Sequence, residues 1–244
     1  MFYLKSNAKV IKTFSKIFNA IYLFVYSFIK NIQRMFTQIK KIKYFLLPYS
    51  ILFFGGLLTL FLYKKSDIFL FINSKNNQFL DVLFSKVTHI GDGWSFGIFL
   101  IVAFFYVKRK DFYFGVAIFA STSLISTLFK RVFFSNELRP FAWFVNNKVV
   151  HFVEGVTVYS NNSFPSGHTI TAFSLAFYAA YLIKNGKLDF VFLLIAVLVG
   201  YSRIYLGQHF FGDVVFGSLI SVSTSLLCLY VFDRFVFDKE TVDL

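Results

Sequence analysis

Long apolar stretches alternate with short polar turns along this chain. Six of these stretches, at about 44–63, 94–108, 112–129, 166–184, 189–206 and 212–232, hold no Asp, Glu, Lys or Arg in their middles. About 20 helical residues cross a bilayer core. Backbone groups in lipid must bond within their own segment, so stretches of this kind predict helices. The expected fold class is therefore all-α, a six-transmembrane helical bundle over 44–232. A basic arm, 1–43, precedes it and a polar tail, 233–244, follows. The second stretch is short, which predicts that its helix extends into the flanks. Between the first and second stretches, Leu80, Leu83, Phe84 and Val87 recur at helical spacing with polar residues between them. That pattern predicts an amphipathic interfacial helix. His89 and the Gly91-Asp92-Gly93 that follows read as the turn into the second span.

Composition sharpens this reading. Hydrophobic residues make up 57% of the 244 and charged residues only 15%, well under the roughly one quarter of ordinary globular domains. The formal charge of +13 lies between apolar stretches. Anionic headgroups and control of topology, rather than nucleic acid, are the expected partners of that charge. Residues 1–43 carry nine basic residues, from Lys5 to Lys43, and no acidic one. The apolar run between Lys16 and Lys30 is short for a span, is basic on both sides and lacks a small-residue cleavage pattern after it. It predicts a basic amphipathic helix on the inner leaflet rather than a secretory signal. The single cysteine, Cys228, excludes an intramolecular disulfide and a cysteine metal cluster; in its apolar run it reads as a small buried hydrophobe. Trp94 and Trp143 suit anchoring at the membrane interface. The excess of positive charge places the arm and the turns 108–110 and 184–187 on the cytoplasmic side. Residues 64–93, 130–165 and 203–212 then share the outer face.

Three segments carry chemistry on that face. The first is Lys130-Arg131 with Arg139-Pro140. The second is Pro165-Ser166-Gly167-His168. The third is Ser202-Arg203, His209 and Asp213. His209 and Asp213, four apart, share a helical face. A carboxylate there fixes the imidazole tautomer and leaves the other nitrogen as a nucleophile. Lys130, Arg139 and Arg203 supply positive charge, and guanidinium forks match phosphate oxygens. Ser166 and Gly167 follow a proline at a helix start, where free amides and the helix dipole favour an anion. His168 is placed to protonate a leaving oxygen. Clustered ionisable groups at a membrane edge mark function. His151, near Glu154, lacks such company and reads as a loop residue.

These segments resemble the motifs of the type 2 phosphatidic acid phosphatase (PAP2) superfamily, whose fold is shared with vanadium haloperoxidases. Pro165 to His168 matches its second motif and Ser202-Arg203 through His209 to Asp213 its third. The similarity covers about residues 44–232. The first motif departs: the family usually places six residues between its lysine and Arg-Pro, where this chain has Val132. Lys130 leaves eight residues and Arg131 seven, so a longer loop would let Lys130 take the role, with Arg131 as its substitute.

The resemblance implies an integral-membrane lipid phosphatase that needs no cofactor or metal. His209 would attack phosphorus and form a phosphohistidine, oriented by Asp213. His168 would serve as acid and then as base. Lys130 (with Arg131 as substitute), Arg139, Ser166, Gly167 and Arg203 would hold the phosphate. Undecaprenyl diphosphate, lipid A phosphate, phosphatidylglycerol phosphate and phosphatidic acid are the substrates the family offers. The expected location is a bacterial inner membrane with the site on its outer, periplasmic face; no residue pattern specifies an oligomeric state. The alternatives are a lipid phosphotransferase using the same histidine and a non-enzymatic anion transporter. Charges gathered at one membrane edge, rather than at mid-membrane, speak against the transporter.

Overall fold

Each of the six apolar stretches forms a helix. In the computed structural model, which describes residues 2–145 and 150–235, the α-helices are α1 (Phe2–Lys41), α2 (Lys43–Leu62), α3 (Lys65–Asn73), α4 (Gln78–Val87), α5 (Gly93–Tyr106), α6 (Arg109–Leu128), α7 (Pro140–Trp143), α8 (Gly167–Ile183), α9 (Gly186–Tyr205) and α10 (Phe211–Phe235). A 3-10 turn, Thr88–Gly91, joins α4 to α5, and a π-turn, Phe129–Phe133, closes α6. The chain divides into two compact units, 41–229 and a second made of 1–40 with 230–244. In the second unit α1 is one uninterrupted helix of 40 residues, about 60 Å long at 1.5 Å per residue. Its Phe18, Ile21, Phe24 and Phe28 are exposed. The expected polar tail runs helical to Phe235, and 236–244 lie outside the described residues.

The expected count of six spans is corrected. Among the described residues, four helices are long and apolar enough to cross a membrane: Lys43–Leu62, Arg109–Phe133, Gly186–Tyr205 and Phe211–Phe232. A fifth crossing needs Gln78–Gly91 and Gly93–Tyr106 taken together, and these meet at a 56° bend. α5 has 14 residues and α8 has 17. At 1.5 Å per residue these measure about 21 Å and 26 Å, short of a core of about 30 Å. The amphipathic helix expected on Leu80, Leu83, Phe84 and Val87 is α4, and a further helix, α3, precedes it. Asn77 starts α4, its side chain accepting from the Leu80 amide at 2.9 Å. Within α4 the amphipathic pattern holds: Phe84 is buried against Tyr201 and Tyr205, and Val82 is exposed.

α8 is short because it lies inside. It packs against α9, α6 and α5, while α9 also packs against α2, α3 and α4. Ala172, Ala176, Ala179 and Ala180 of α8 are buried, and such small residues let helices approach closely. Larger side chains fill the remainder. Phe173 and Phe177 meet Tyr49 and Phe45 of α2, and Tyr181 meets Phe114 of α6 at 4.6 Å between ring centroids. Tyr178 and Tyr181 both donate to Asp111, at 2.9 and 3.1 Å, which pins the far end of α8 to the start of α6. Gly115 makes that approach possible, since a β-carbon there would lie 2.4 Å from the Tyr178 ring.

Overpacking a filled core costs about 1–3 kcal/mol. Gly115→Ala is therefore expected to lower the thermal unfolding temperature in detergent. Adding Tyr178→Leu, which vacates the ring, should recover part of that loss. No change in the single variant would contradict this packing.

Candidate active site

The ends of five elements meet at one end of the bundle. Asp92 precedes α5, Lys130 lies in the π-turn closing α6, Ser166 precedes α8, Arg203 lies in the last turn of α9, and Asp213 lies in the first turn of α10. The 107–110 and 184–187 turns occupy the opposite ends of the same helices.

His209 sits in the short link between α9 and α10 and is 1% exposed. The link is tight: the amides of Gln208 and His209 both donate to the Arg203 carbonyl, at 2.9 and 3.1 Å. Gly207 turns it with φ of +68°, and a β-carbon there would strike Phe152 at 2.6 Å. His209 Nδ1 faces Asp213 Oδ2 at 3.3 Å, longer than a relaxed bond of about 2.9–3.0 Å. Asp213 Oδ2 is fixed from two further sides, by the Ser163 hydroxyl at 2.5 Å and the Phe210 amide at 3.0 Å. Burial holds the imidazole well below the usual histidine pKa, and the charges of Arg139, Lys130, Arg203 and His168 push it the same way. With the Nδ1 proton directed at Asp213, Nε2 is the nitrogen left unprotonated on a neutral ring.

The cations differ in how they are committed. Arg203 is buried, and its Nη1 donates to the Thr88 hydroxyl at 2.7 Å. Its Nε is buried without a hydrogen-bond partner. A buried donor left open calls for an absent acceptor. Arg139 is also buried, but four hydrogen bonds of its guanidinium already go to protein oxygens: Asn161 O, Asn162 O, Gln208 O and Gln208 Oε1. Little of the expected free fork remains on it. Lys130 Nζ lies beside Gly167, where a β-carbon would come within 3.3 Å of it. Arg131, the other candidate for the first-motif position, is exposed. Lys130 stands in the π-turn that closes α6, with its Nζ toward Gly167.

Ser166 is fully buried and caps α8, its oxygen accepting from the Thr169 amide and hydroxyl at 3.4 and 2.8 Å. Its own amide donates to the Asp213 carbonyl at 3.1 Å, which joins the second segment to the third. The first amides of a helix have no partner within it, so Gly167 and His168 offer theirs to an anion. His168 Nε2 lies 2.7 Å from Asp92 Oδ1. A cavity of about 560 Å³ opens over His168 and Arg203, lined also by Thr88, Asp92, Tyr159 and Gln208.

Residues 110–237 match the model of the PAP2 superfamily. The chain belongs to the PAP2 superfamily. It is 33% identical to phosphatidylglycerophosphatase B of Bacillus subtilis over 153 residues, 57% of this chain and 68% of that protein. It is 28% identical to the lipid A 4'-phosphatase of Porphyromonas gingivalis over 164 residues, 65% of this chain and 68% of that protein. The crystal structure of a transmembrane PAP2 type phosphatidylglycerolphosphate phosphatase from Bacillus subtilis matches with a TM-score of 0.54 at 26% identity, over 83% of this chain and 97% of that one. The chain is accordingly a multi-pass membrane lipid phosphatase.

Of the residues expected from the sequence, His168, His209, Asp213, Lys130, Arg139, Arg203, Ser166 and Gly167 come together, and Arg131 does not. His89 is a turn residue, as expected, but its Nδ1 faces Asp92 at 2.8 Å. His151 is anchored in its loop, its Nε2 3.1 Å from both Asp81 oxygens. Sequence reasoning missed Thr88, Asp92, Ser163 and Gln208. Only Asp92 left a trace, as the acid of Gly-Asp-Gly; the others are ordinary polar residues whose partners lie more than 40 positions away.

His209 makes the stability of this protein sensitive to acid. Its folded pKa is depressed, so below about pH 6.5 the unfolded chain takes up a proton that the fold refuses. Stability should therefore fall with decreasing pH below 6.5, by at most about 1.4 kcal/mol per unit from this residue, and be insensitive to it above. The drop in melting temperature between pH 7.5 and 5 should be smaller in His209→Asn. An equal drop would mean that His209 does not carry this effect.

Proposed function

We propose that this membrane phosphatase transfers the phosphoryl group of a lipid phosphate to His209 and then to water, without a metal ion. The observation that carries the reading is the open, buried Nε of Arg203 beside an uncharged His209 whose other nitrogen faces Asp213. Nε2 of His209 attacks phosphorus in line, and Asp213 receives the Nδ1 proton in a hydrogen bond as positive charge grows on the ring. The phosphorus–oxygen bond to the lipid breaks as His168 gives that oxygen a proton. In the second step His168 takes a proton from water, the water oxygen attacks phosphorus, and the phosphorus–nitrogen bond breaks to release phosphate.

Lys130, Arg203 and the amides of Gly167 and His168 hold the equatorial oxygens, on which charge accumulates in the transition state. Arg139 adds its charge and keeps the surrounding loop in place. Ser166 fixes the start of α8 so that these amides point inward. The fixed cations supply the neutralisation that a metal ion provides in other phosphatases. The basic turns at the opposite helix ends support a site on the outer face of a bacterial inner membrane. Phosphatidylglycerol phosphate, lipid A phosphate, undecaprenyl diphosphate and phosphatidic acid are the substrates to be tried.

The test is phosphate release from those four lipids in detergent with EDTA present, for wild type and His209→Ala. Wild type is expected to act on at least one, and the variant to lose at least about three powers of ten, as removal of a nucleophile does. Equal activity in both would reject His209, and loss of wild-type activity in EDTA would reject the metal-free reading. Phosphate appearing on an added acceptor lipid instead of in solution would replace hydrolysis by phosphotransfer.

A further inference from the structure

We infer that Asp92 is the positioning residue of the proton donor: its carboxylate orients the His168 imidazole through Nε2 and stabilises the protonated ring that delivers a proton from Nδ1 to the departing lipid oxygen. The inference rests on the proposed role of His168 and extends it to a residue outside the three motifs.

The geometry is specific. Asp92 Oδ1 meets His168 Nε2 at 2.7 Å, the short range of a charge-assisted bond. Its other oxygen is immobilised, with His89 Nδ1 at 2.8 Å and the Trp94 indole N–H donating at 3.0 Å. The side chains of Asp92 and His168 are 22% and 29% exposed, so the pair lies at the edge of the cavity and not in bulk water. Gly91 brings them together, since a β-carbon there would lie 2.9 Å from His168 Cβ and 2.8 Å from its carbonyl oxygen.

The position of Asp92 in the chain adds a second argument. It is the residue preceding α5, where an Asp side chain ordinarily accepts from the second or third helical amide. Here it makes no such bond. The carboxylate forgoes that stabilising cap and is turned to a histidine on another helix.

The chemistry requires such a group. Burial opposes a proton on His168 most strongly, and the charges of Arg203, Lys130 and Arg139, which favour the phosphate, act in the same direction. A carboxylate on the far ring nitrogen counters them without touching the phosphate. During bond breaking the proton on Nδ1 passes to the lipid oxygen, while the proton on Nε2 stays on the ring and in the bond to Asp92. The site then holds two imidazole–carboxylate pairs, His209 with Asp213 and His168 with Asp92.

Proton donation matters for a poor leaving group and little for a good one, and this separates the role from a structural one. Wild type, Asp92→Asn, His168→Ala and the double variant would be assayed on the lipid phosphate found active and on p-nitrophenyl phosphate, whose phenol departs without a proton. Asp92→Asn should lose about 10- to 100-fold in kcat on the lipid, within the two to four powers of ten typical of general acids, and under about 3-fold on the aryl ester. The double variant should match His168→Ala on both. Trp94→Phe, which frees one bond to the carboxylate, should show a smaller loss confined to the lipid and covers the case in which Asp92→Asn does not fold. Equal losses on both substrates, or additive losses in the double variant, would overturn the role of Asp92. If His168→Ala itself spared the lipid relative to the aryl ester, the assignment of the acid would fall, an outcome separate from failure of Asp92 alone.

Discussion

Several positive charges are held around one uncharged imidazole, and most of this structure serves that constraint. Burying an ion costs several kcal/mol unless its partners are well placed. Arg139 and Arg203 are both almost fully buried, and Lys130 is close enough for its charge to act on the same histidine. One carboxylate, Asp213, faces this group from within. The balance of charge stays positive at a point where the chain would be most stable without it. Within this group Arg203 Nε is buried without a hydrogen-bond partner.

Holding such a group open requires stiff surroundings. The long connection between α6 and α8 is tied down at several points. Arg139 donates to the carbonyls of Asn161 and Asn162 and to the backbone and side-chain oxygens of Gln208. Ser163 is fastened to Asp213, and Gln208 donates to the Thr157 carbonyl at 2.9 Å. Further out, Asn73 clasps the backbone of His151 with both ends of its amide, and the His151 ring rests on Asp81, which also accepts from Tyr205 at 2.5 Å. These bonds link residues far apart in sequence. They convert a polar loop that has little secondary structure of its own into a fixed wall beside the nucleophile.

Three departures from regular helix fall at this end. The 56° bend before α5 turns Asp92 toward His168, the π-turn after α6 presents Lys130, and the positive φ of Gly207 reverses the chain so that His209 follows Arg203 within one turn. Much of the helix packing elsewhere is apolar and aromatic. Irregular backbone at membrane depth is tolerated where it is buried in protein or lines a cavity, and here it does both.

Much of this was legible in the residues. Hydropathy blocks located all six apolar helices, because a backbone in lipid has no alternative way to satisfy its amides. His209 and Asp213, four apart, and the Pro-Ser-Gly-His run at a helix start reveal local chemistry, since helical spacing sets which side chains meet. The number of full crossings was not legible, because α8 owes its shortness to enclosure by α6 and α9 and α5 completes a crossing only with α4. Nor was the choice between Lys130 and Arg131, which depends on the turn of a π-helix. Thr88, Asp92 and Ser163 joined the site only in three dimensions: each bonds to a partner on another element, and no local period in the chain encodes a contact of that kind.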